Sequence, residues 1–348
     1  MIIEIGDKPF VSTSLPDESL YFSTVSAGDR PKGGKTLGGL LALWRALGDP
    51  AVSLVVVHPT FYAPWSWRHL FRIFFSRHIF RGRLPVFRVY GPQLLRWRGR
   101  APIVVLDHED LPVINRNNLF LLDLCELWFK RELPVDHWRV FLKTAHPNLP
   151  TARFRLDARN AARLAKLRPI SIGFPLGVDP PTLEATPQKT ADVFFAGRVA
   201  GSSSLRDQGL AELMALKQAG VRVDIPGGPL PRDEFYRRCA AAWLVWSPEG
   251  YGWDCFRHYE ALACGSAPVI NLPSIQRRQP LRDGEHAFFY EPRPGELTRV
   301  VREALADKAR LAAMAAAGRD HVLAHHTPLA LSRHMVEAAA AQSTRGAA

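Results

Sequence analysis

The chain has 348 residues, of which 47% are hydrophobic, and its formal net charge is +12 at pH 7. The length favours two domains, the apolar content excludes a disordered chain, and no apolar run reaches the roughly 18 residues that would span a bilayer. The four cysteines have no CxxC spacing, so neither a zinc site nor a disulfide framework is indicated, and we expect no bound metal. Together with the absence of a signal-peptide pattern at the start, these features predict a cytoplasmic protein with reduced thiols.

Apolar runs that end in Gly, Pro or polar residues predict buried strands, and they alternate with helix-like runs. This rhythm predicts an α/β fold with parallel sheets. The predicted strands are residues 53–59, 102–108, 191–197, 221–227, 242–248 and 267–273. A weak internal echo predicts two similar halves, because residues 20–59 and 192–227 both read as strand, small-residue basic loop, leucine-rich helix and strand.

The first glycine-rich segment is GGKT at Gly33–Thr36. A Walker phosphate loop requires a further glycine where this chain has Asp29, so the match fails. A flexible loop that lets a ligand approach the backbone is the interpretation we keep.

A basic and aromatic segment follows at residues 66–100, inside a stretch from Asp49 to Asp107 that has no acidic residue between its ends. Residues 67–76 show a helical pattern with one aromatic face and one basic face. Such a helix can lie on an anionic membrane surface, or it can pack on its own domain as an ordinary surface helix. Both interpretations stay open, and the first would make the protein peripheral on the inner face of a membrane.

Polar residues cluster where the predicted strand 102–108 ends, in the sequence Asp107-His108-Glu109-Asp110. Neighbouring carboxylates would favour the charged form of His108 if they are also close in space. Asp107, His108 and Asp110 are therefore our candidates for a general base, and a solvated acidic loop or helix cap is the alternative.

A proline- and glycine-rich segment at residues 171–190 shows neither helical nor strand periodicity, and we predict the boundary between two domains here. The predicted division is a first domain at 1–175, a second at 176–325, and a last helix with a frayed tail at 326–348.

The second half contains a candidate phosphate site at residues 194–209, FFAGRVAGSSSLRDQG. Gly197 follows a predicted strand, and small residues run on to a predicted helix whose N-terminus would favour an anion. Arg198 and Arg206 add positive charge, and arginine binds phosphate in bidentate fashion. The alternative is an ordinary loop with Ser204 as the helix N-cap and both arginines in solvent.

The segment SPEGYGWDCFRHYEALACGSAPVI, residues 247–270, places several charges at the start of an apolar helix. Asp254 suits an N-cap, whereas Glu260 lies in mid-helix, where an unpaired charge is costly. Arg257 lies about one turn before Glu260, so the two could form a structural ion pair, or Glu260 could hold a ligand.

This segment resembles the donor-binding motif of GT-B glycosyltransferases, and its D-x-x-R-x-x-E-A-L core resembles exostosin-like and bacterial family-1-type members. The resemblance extends to DVFFAGR, VRVDIPGG, DGEHAFFYEP and PLGVD, whereas the first half matches only in rhythm. It implies two Rossmann-like domains whose parallel sheets face a cleft, and a nucleoside-diphosphate sugar as donor substrate with no further cofactor.

By the same resemblance, Glu260 would hold the ribose hydroxyls, and Arg198 with Arg206 would neutralise the diphosphate. The remaining residues of the predicted donor site are Gly197, Glu249, Gly250, Gly252, Asp254 and Arg257. Many retaining members carry an acidic residue eight positions before the helix glutamate, where this chain has Gly252, and Glu249 lies eleven positions before it. Either an insertion shifts Glu249 into the sugar-contacting role or another residue fills it, so the stereochemical outcome stays open.

The predicted function is therefore transfer of a sugar to a carbohydrate or lipid-linked acceptor, such as one of an envelope polysaccharide, without a metal. One alternative is a GT-B-like module that binds a nucleotide or glycan without catalysis. Another is a basic nucleic-acid binder, which we rank last because the chain has no recognised nucleic-acid motif.

Overall fold

The computed structural model describes residues 1–24, 37–59, 91–97, 101–142, 156–181, 188–199 and 203–347. The chain forms two compact units, which we call unit 1 (Met1–Pro169 with Ser332–Ala348) and unit 2 (Ile170–Leu331). The boundary lies before the predicted 175/176, because Ile172 and Phe174 form backbone hydrogen bonds to Asp254 and His326 of unit 2. The GGKT loop, residues 66–90 and 98–100 of the basic segment, and Ala200–Ser202 lie outside the described residues.

Unit 1 contains a six-stranded parallel sheet with the order β2-β1-β3-β4-β5-β6. Its central strands are buried on both faces and rich in β-branched residues, as expected of a parallel sheet covered by helices. The strands are β1 (Ile2–Gly6), β2 (Ser19–Ser23), β3 (Leu54–Val57), β4 (Ile103–Asp107), β5 (Leu127–Lys130) and β6 (Leu167–Pro169). The α-helices among the described residues of this unit are α1 (Phe10–Ser14), α2 (Leu37–Ala46), α3 (Leu119–Leu124) and α4 (Ala158–Leu164).

Unit 2 contains a five-stranded parallel sheet with the order β11-β10-β9-β7-β8. The strands are β7 (Ala191–Phe194), β8 (Val223–Asp224), β9 (Ala242–Trp246), β10 (Ala267–Asn271) and β11 (Phe288–Tyr290). The helices are α5 (Ser204–Gln218), α6 (Arg232–Ala240), α7 (Phe256–Ala263), α8 (Glu296–Leu305) and α9 (Lys308–His325). A last helix, α10 (Pro328–Ala347), begins in unit 2, and its residues from Ser332 onward belong to unit 1.

The prediction of two similar halves is confirmed, because the first five strands of each unit follow one spatial order, in which the second strand pairs outside the first and the third pairs inside it. However, the matching of residues 20–59 with residues 192–227, on which the prediction depended, was wrong. Residues 20–23 belong to the edge strand β2, and the counterpart of β7 is β1, a short apolar run at the start of the chain. Likewise the central strand β3 corresponds to β9 rather than to the two-residue edge strand β8.

In a sheet of this order, the connections leave in opposite directions from the first and third strands, and ligands bind at that switch point beside the carboxyl ends of the strands. In unit 2 the switch point lies between β7 and β9, so residues 195–199 and 247–254 form its rim. In unit 1 it lies between β1 and β3. Within the described ranges, none of the helices is long and apolar enough to cross a membrane.

Candidate functional site

The exit of β7 brings Gly197 against the guanidinium group of Arg257. A Cβ atom at Gly197 would lie 2.4 Å from Nη2 of Arg257, so any side chain here would displace the guanidinium group from its present position. Nε of Arg257 donates to the carbonyl of Ala196 at 3.1 Å, and the guanidinium carbon lies 5.3 Å from the ring centroid of Phe195. Nη1 is buried and has no hydrogen-bond partner among the described residues. The first turn of α7 thus presents a fixed cation with an unused donor.

Arg206, in the first turn of α5, forms hydrogen bonds to both segments of the rim, residues 195–199 and residues 247–254. Its guanidinium donates to the carbonyls of Glu249 at 2.8 Å, Arg198 at 2.7 Å and Pro248 at 3.4 Å. The side chain is buried, so the alternative in which both arginines lie in solvent does not hold for Arg206. Its hydrogen bonds organise the loop, and its proposed contact with a diphosphate stays a prediction. Arg198 is exposed on the same rim.

Arg206 and Arg257 influence each other electrostatically. Burial lowers the pKa of Arg206, and the nearby positive charge of Arg257 lowers it further. Among the described residues, neither guanidinium has a carboxylate within the 4.0 Å of an ion pair. Glu249 and Glu260 act on these cations only from beyond ion-pair distance. Two neighbouring cations without a directly paired carboxylate are an arrangement that a bound anion would stabilise. This is the strongest electrostatic indication of a ligand site in unit 2.

Helix α5 begins at Ser204 and is capped by Ser203, whose hydroxyl accepts from the backbone N–H of Leu205 at 3.2 Å. The N-cap therefore lies one residue before the predicted Ser204, in the serine run that ends at the helix. The cap occupies one of the N–H groups that a phosphate would otherwise use.

Glu249 lies at the exit of β9 and is held by Asn271 at the end of β10. The backbone N–H of Glu249 donates to Oδ1 of Asn271 at 2.9 Å, and Nδ2 of Asn271 donates to Oε2 of Glu249 at 2.9 Å. Gly250 follows, and a Cβ there would lie 3.1 Å from Nη2 of Arg206. The N–H of Gly250 donates to the buried Gly252 carbonyl at 2.9 Å, closing a tight bend.

The interpretation of Asp254 as a helix N-cap is wrong. Helix α7 begins at Phe256, and its N-cap residue, Cys255, contributes no side-chain cap. The buried Asp254 carboxylate instead accepts from the N–H of Ile172 at 2.5 Å and from the hydroxyl of Tyr259 at 2.6 Å. It therefore connects Ile172, at the start of unit 2, to Tyr259 of α7. Sequence spacing allowed the cap, but the longer-range partner Ile172 could not be seen from it.

Glu260 lies in the middle of α7, and its carboxylate accepts from the Tyr236 hydroxyl at 3.2 Å. Burial raises the pKa of Glu260, whereas the Tyr236 hydrogen bond and the charge of Arg257 act in the opposite direction. Among the described residues, no ion pair joins Glu260 to Arg257, so the structural-pair alternative is not what the structure shows. Glu260 remains a carboxylate with capacity to accept hydrogen bonds from a ligand.

Sequence reasoning missed residues that support this site from behind. His258 of α7 is buried; its Nε2 lies 2.9 Å from the Trp253 carbonyl and its Nδ1 lies 2.7 Å from the Ser247 hydroxyl. His258 lies within the predicted helix, and its position there gave no signal of this role. Asn271 could have been noticed, because a polar residue ends the otherwise apolar run APVIN at a predicted strand exit.

The predicted base residues in unit 1 fall into two groups. The Asp107 carboxylate is buried, and its Oδ2 lies 3.0 Å from Nζ of Lys130 and 3.1 Å from Nε1 of Trp128. Its Oδ1 accepts from the Glu109 N–H at 3.1 Å. Both oxygens are thus occupied within the fold, which disfavours Asp107 as a base.

Asp110 is exposed, whereas His108 is only partly exposed and its Nε2 atom is buried. The His108 ring lies 5.0 Å from that of Phe10 in an edge-to-face contact, and the exposed Asp110 forms an ion pair with Arg131. Loss of solvent around Glu109 raises the pKa of its carboxylate, and the charge of Asp107 raises it further. The role of His108 and Asp110 as bases stays a prediction. Within the described ranges, no group of three or more His, Cys, Asp or Glu side chains is arranged to hold a metal ion.

At the switch point of unit 1, Glu4 and His58 form a buried pair with Nε2 and Oε1 2.7 Å apart. The same carboxylate accepts from the backbone N–H groups of Phe10, Val11 and Ser12 at 2.8–2.9 Å. Glu4 therefore fixes α1 as well as His58. The sequence did not reveal this pair, because its members lie 54 residues apart.

Comparisons with known proteins agree with this architecture. Residues 213–337 match the model of a family described as glycosyl transferase-like. No curated protein matches the chain. A solved structure described as a glycosyltransferase from Rickettsia africae ESF-5 is similar with a TM-score of 0.53, 10% identity, and 98% coverage of both chains.

Anabaena Alr3699/HepE, solved in complex with UDP and glucose, is similar with a TM-score of 0.50 and 14% identity, covering 98% of this chain and 100% of that one. Sucrose-phosphate synthase from Thermosynechococcus elongatus is similar with a TM-score of 0.51 and 12% identity, with both chains fully covered. At these identities the likeness shows the fold alone.

Proposed function

We propose that this chain, which has the GT-B fold and matches a glycosyl transferase-like family over residues 213–337, transfers a sugar from a nucleoside-diphosphate sugar to an acceptor. The observation that carries the proposal is the pair of neighbouring guanidinium groups of Arg206 and Arg257 at the switch point of unit 2. The pair has no carboxylate partner among the described residues, and Nη1 of Arg257 has an unused donor. This arrangement suits a diphosphate.

In the proposed reaction, the bond between the anomeric carbon and the diphosphate oxygen breaks, and the electron pair leaves with that oxygen. Negative charge therefore grows on the leaving group, and Arg257 stabilises it from a position that the fold has already fixed. Arg198, exposed on the same rim, is the second proposed phosphate contact. We propose that these cations do this work without a metal.

Glu260 lies about one turn further along α7 than Arg257, where its carboxylate can accept hydrogen bonds from two neighbouring ribose hydroxyls. Its Tyr236 hydrogen bond orients the carboxylate before the ligand arrives. The anomeric carbon then bonds to an acceptor hydroxyl oxygen, whose proton passes to a base. His108 and Asp110 are the proposed bases, and we do not propose Asp107.

The donor proposed first is a uridine-diphosphate sugar, because HepE has been solved with UDP and UDP-glucose. The acceptor class proposed is a carbohydrate or lipid-linked sugar. The basic, aromatic stretch at residues 66–83 motivates this choice and an anionic membrane surface as partner. Flotation with anionic vesicles tests the membrane part, and a chain that stays at the bottom of the gradient contradicts it.

The function is tested by calorimetry with UDP and by UDP release from UDP-glucose in the presence of candidate acceptors. Glu260→Ala should weaken UDP binding by about 30-fold, because it removes charged hydrogen bonds to the ligand. Glu291→Ala, which removes an exposed carboxylate of the same unit, is the matched control and should bind UDP as the wild type does. Near-normal UDP affinity of Glu260→Ala would exclude the ribose role.

A nucleotide-binding module without catalysis is the second candidate, and the engagement of Asp107 inside unit 1 favours it. It predicts tight binding of UDP with neither transfer nor hydrolysis of any nucleotide sugar. Product formation with a single acceptor would exclude it.

A further inference from the structure

The carboxyl ends of β9 and β10 are joined by the side chain of Asn271. We propose that Asn271 is a positioning residue that aims the Glu249 carboxylate at a hydroxyl group of the transferred sugar. The inference rests on the proposed function, which supplies the sugar. Both the oxygen and the nitrogen of the buried Asn271 amide bond to Glu249, so the role that we propose for Asn271 acts through Glu249.

An amide is the chemical group that this position requires. The Asn271 side chain must accept from the backbone N–H of Glu249 and donate to its carboxylate at the same time. An aspartate could accept but not donate at neutral pH, and an apolar side chain could do neither. The two partners also fix which atom of the amide is oxygen, because a backbone N–H cannot bond to an NH₂ group.

Asn271 and Arg206 hold the backbone and the carboxylate of Glu249 through three hydrogen bonds. Its N–H and Oε2 are bonded to Asn271, and its carbonyl accepts from Nε of Arg206 at 2.8 Å. Among the described residues, Oε1 has no hydrogen-bond partner and the carboxylate has no ion pair. A side chain fixed at this many points, with one acceptor atom unused, is arranged to receive a hydrogen bond from a ligand.

Asn271 also holds the other end of the loop that follows Glu249. Its backbone carbonyl accepts from Nε1 of the buried Trp253 at 2.9 Å. The chain therefore forms a short loop at residues 250–252, and Asn271 holds the residue on each side of it, Glu249 and Trp253. Tyr251 is exposed at the tip of this loop.

The length of this short loop matches the unusual spacing between Glu249 and Glu260 in the sequence. Glu249 lies eleven positions before Glu260, three more than the eight of the motif that the segment resembles. The three residues of the loop, 250–252, equal that excess. Because both ends of this segment are held by Asn271, we infer that these three residues are the extra ones and that Glu249 takes the position of the motif's acidic residue.

Two variants test the inference: Asn271→Asp alone, and Asn271→Asp combined with Glu249→Gln. Asn271→Asp keeps the acceptor for the Glu249 N–H but sets two carboxylates about 2.9 Å apart, the present separation of the partner atoms. Two carboxylates at that distance share a proton. In a plot of transfer rate against pH, the acidic limb should therefore move to higher pH by about one unit or more. Combining it with Glu249→Gln restores a donor to the pair and should return the limb to its wild-type position.

The second readout compares two ligands of the same site. Asn271→Ala should bind UDP within about threefold of the wild type but lose about 30-fold in kcat/KM for UDP-glucose, because only the sugar contact depends on Glu249. A purely structural role of Asn271 would weaken UDP and UDP-glucose to the same degree. Asn271→Ser is the partial control, since its hydroxyl can still serve one of the two partners.

The outcomes separate the inference from the function on which it rests. A wild-type chain that binds no UDP and transfers no sugar overturns both. A wild-type chain that transfers glucose, with Asn271→Ala reducing the affinity for UDP and UDP-glucose equally and Asn271→Asp leaving the pH profile unchanged, overturns the positioning role alone. Selective loss with UDP-glucose and a shifted acidic limb that the double variant restores would support it.

Discussion

The carboxyl edges of the two parallel sheets differ in how their charges are used. In unit 1 the edge carboxylates are paired within the fold, as in Asp107 with Lys130 and Glu4 with His58. In unit 2, Arg206 and Arg257 lie near each other without a carboxylate partner among the described residues, and Glu249 has one oxygen without a hydrogen bond there. The carboxylates of Glu4 and Asp107 in unit 1 are thus satisfied within the fold. In unit 2, Arg257 and Glu249 keep hydrogen-bonding capacity, which our proposal assigns to the donor.

The largest expected effect is on the stability of unit 1. Asp107→Asn preserves the shape of the side chain but leaves the Lys130 charge buried without its partner. Loss of one member of a buried pair costs about 3–5 kcal/mol, so denaturant unfolding should shift strongly while UDP affinity stays unchanged. Asp110→Asn, which removes an exposed partner of Arg131, is the control and should cost below about 1 kcal/mol. A weakened UDP affinity without destabilisation would contradict the division of roles.

The next effect should appear in ligand binding by unit 2. Arg257→Ala should weaken UDP binding about 100-fold, which is about 2.7 kcal/mol, because a charged and fixed donor to the diphosphate is removed. The midpoint of unfolding should change little, since this cation has no ion pair among the described residues. Arg302→Ala, at an exposed arginine of α8, is the matched control. Equal losses of affinity in both variants would indicate a general charge effect instead of a specific contact.

A third effect concerns pH. His326 is buried, its Nδ1 lies 2.8 Å from the Ser171 hydroxyl, and its Nε2 lies 2.9 Å from the Gln279 carbonyl. A carbonyl only accepts, so Nε2 donates and the neutral ring satisfies both partners. Burial is the main cause that lowers the pKa of His326 to about 3, and the neighbouring His321, His325 and Arg278 also lower it.

Because the folded pKa of His326 lies below the ordinary value, its contribution to stability is present at neutral pH and is lost as the pH falls from about 6.5 toward 3. Between pH 7.5 and pH 5 the free energy of unfolding should fall by about 2 kcal/mol from this group. In His326→Gln that part of the decline should be absent, although His286 and His325, whose pKa values are also lowered, will continue to contribute. An unchanged pH dependence in the variant would exclude His326 as its source.

The sequence predicted the fold better than it predicted the contacts. Buried strands such as β3, β4 and β9 are short apolar runs bounded by turn residues, so periodicity locates them, and the segment at 247–270 contains the predicted helix α7. The partners of Asp254 and Glu249 could not be predicted in this way. Ile172 lies 82 residues from Asp254, and Asn271 lies 22 residues from Glu249, and only the folded sheet brings them together. Local capping preferences therefore suggested the wrong partner for Asp254.

The smallest expected effect concerns the N-terminus of α5, which either is only capped by Ser203 or also binds the phosphates. Ser203 caps this helix, and Ser203→Ala should cost about 1 kcal/mol of stability because the N–H of Leu205 loses its acceptor. If Arg257 and Arg198 carry the diphosphate, UDP affinity should remain within about twofold of the wild type, since the cap serves the fold. If instead the phosphates approach the helix terminus, as the sequence of residues 194–209 predicts, removal of the competing hydroxyl should change UDP affinity beyond that range. Calorimetry with UDP beside denaturant unfolding of the same variant therefore tells whether this helix end belongs with the charges that stabilise the fold or with those held for the ligand.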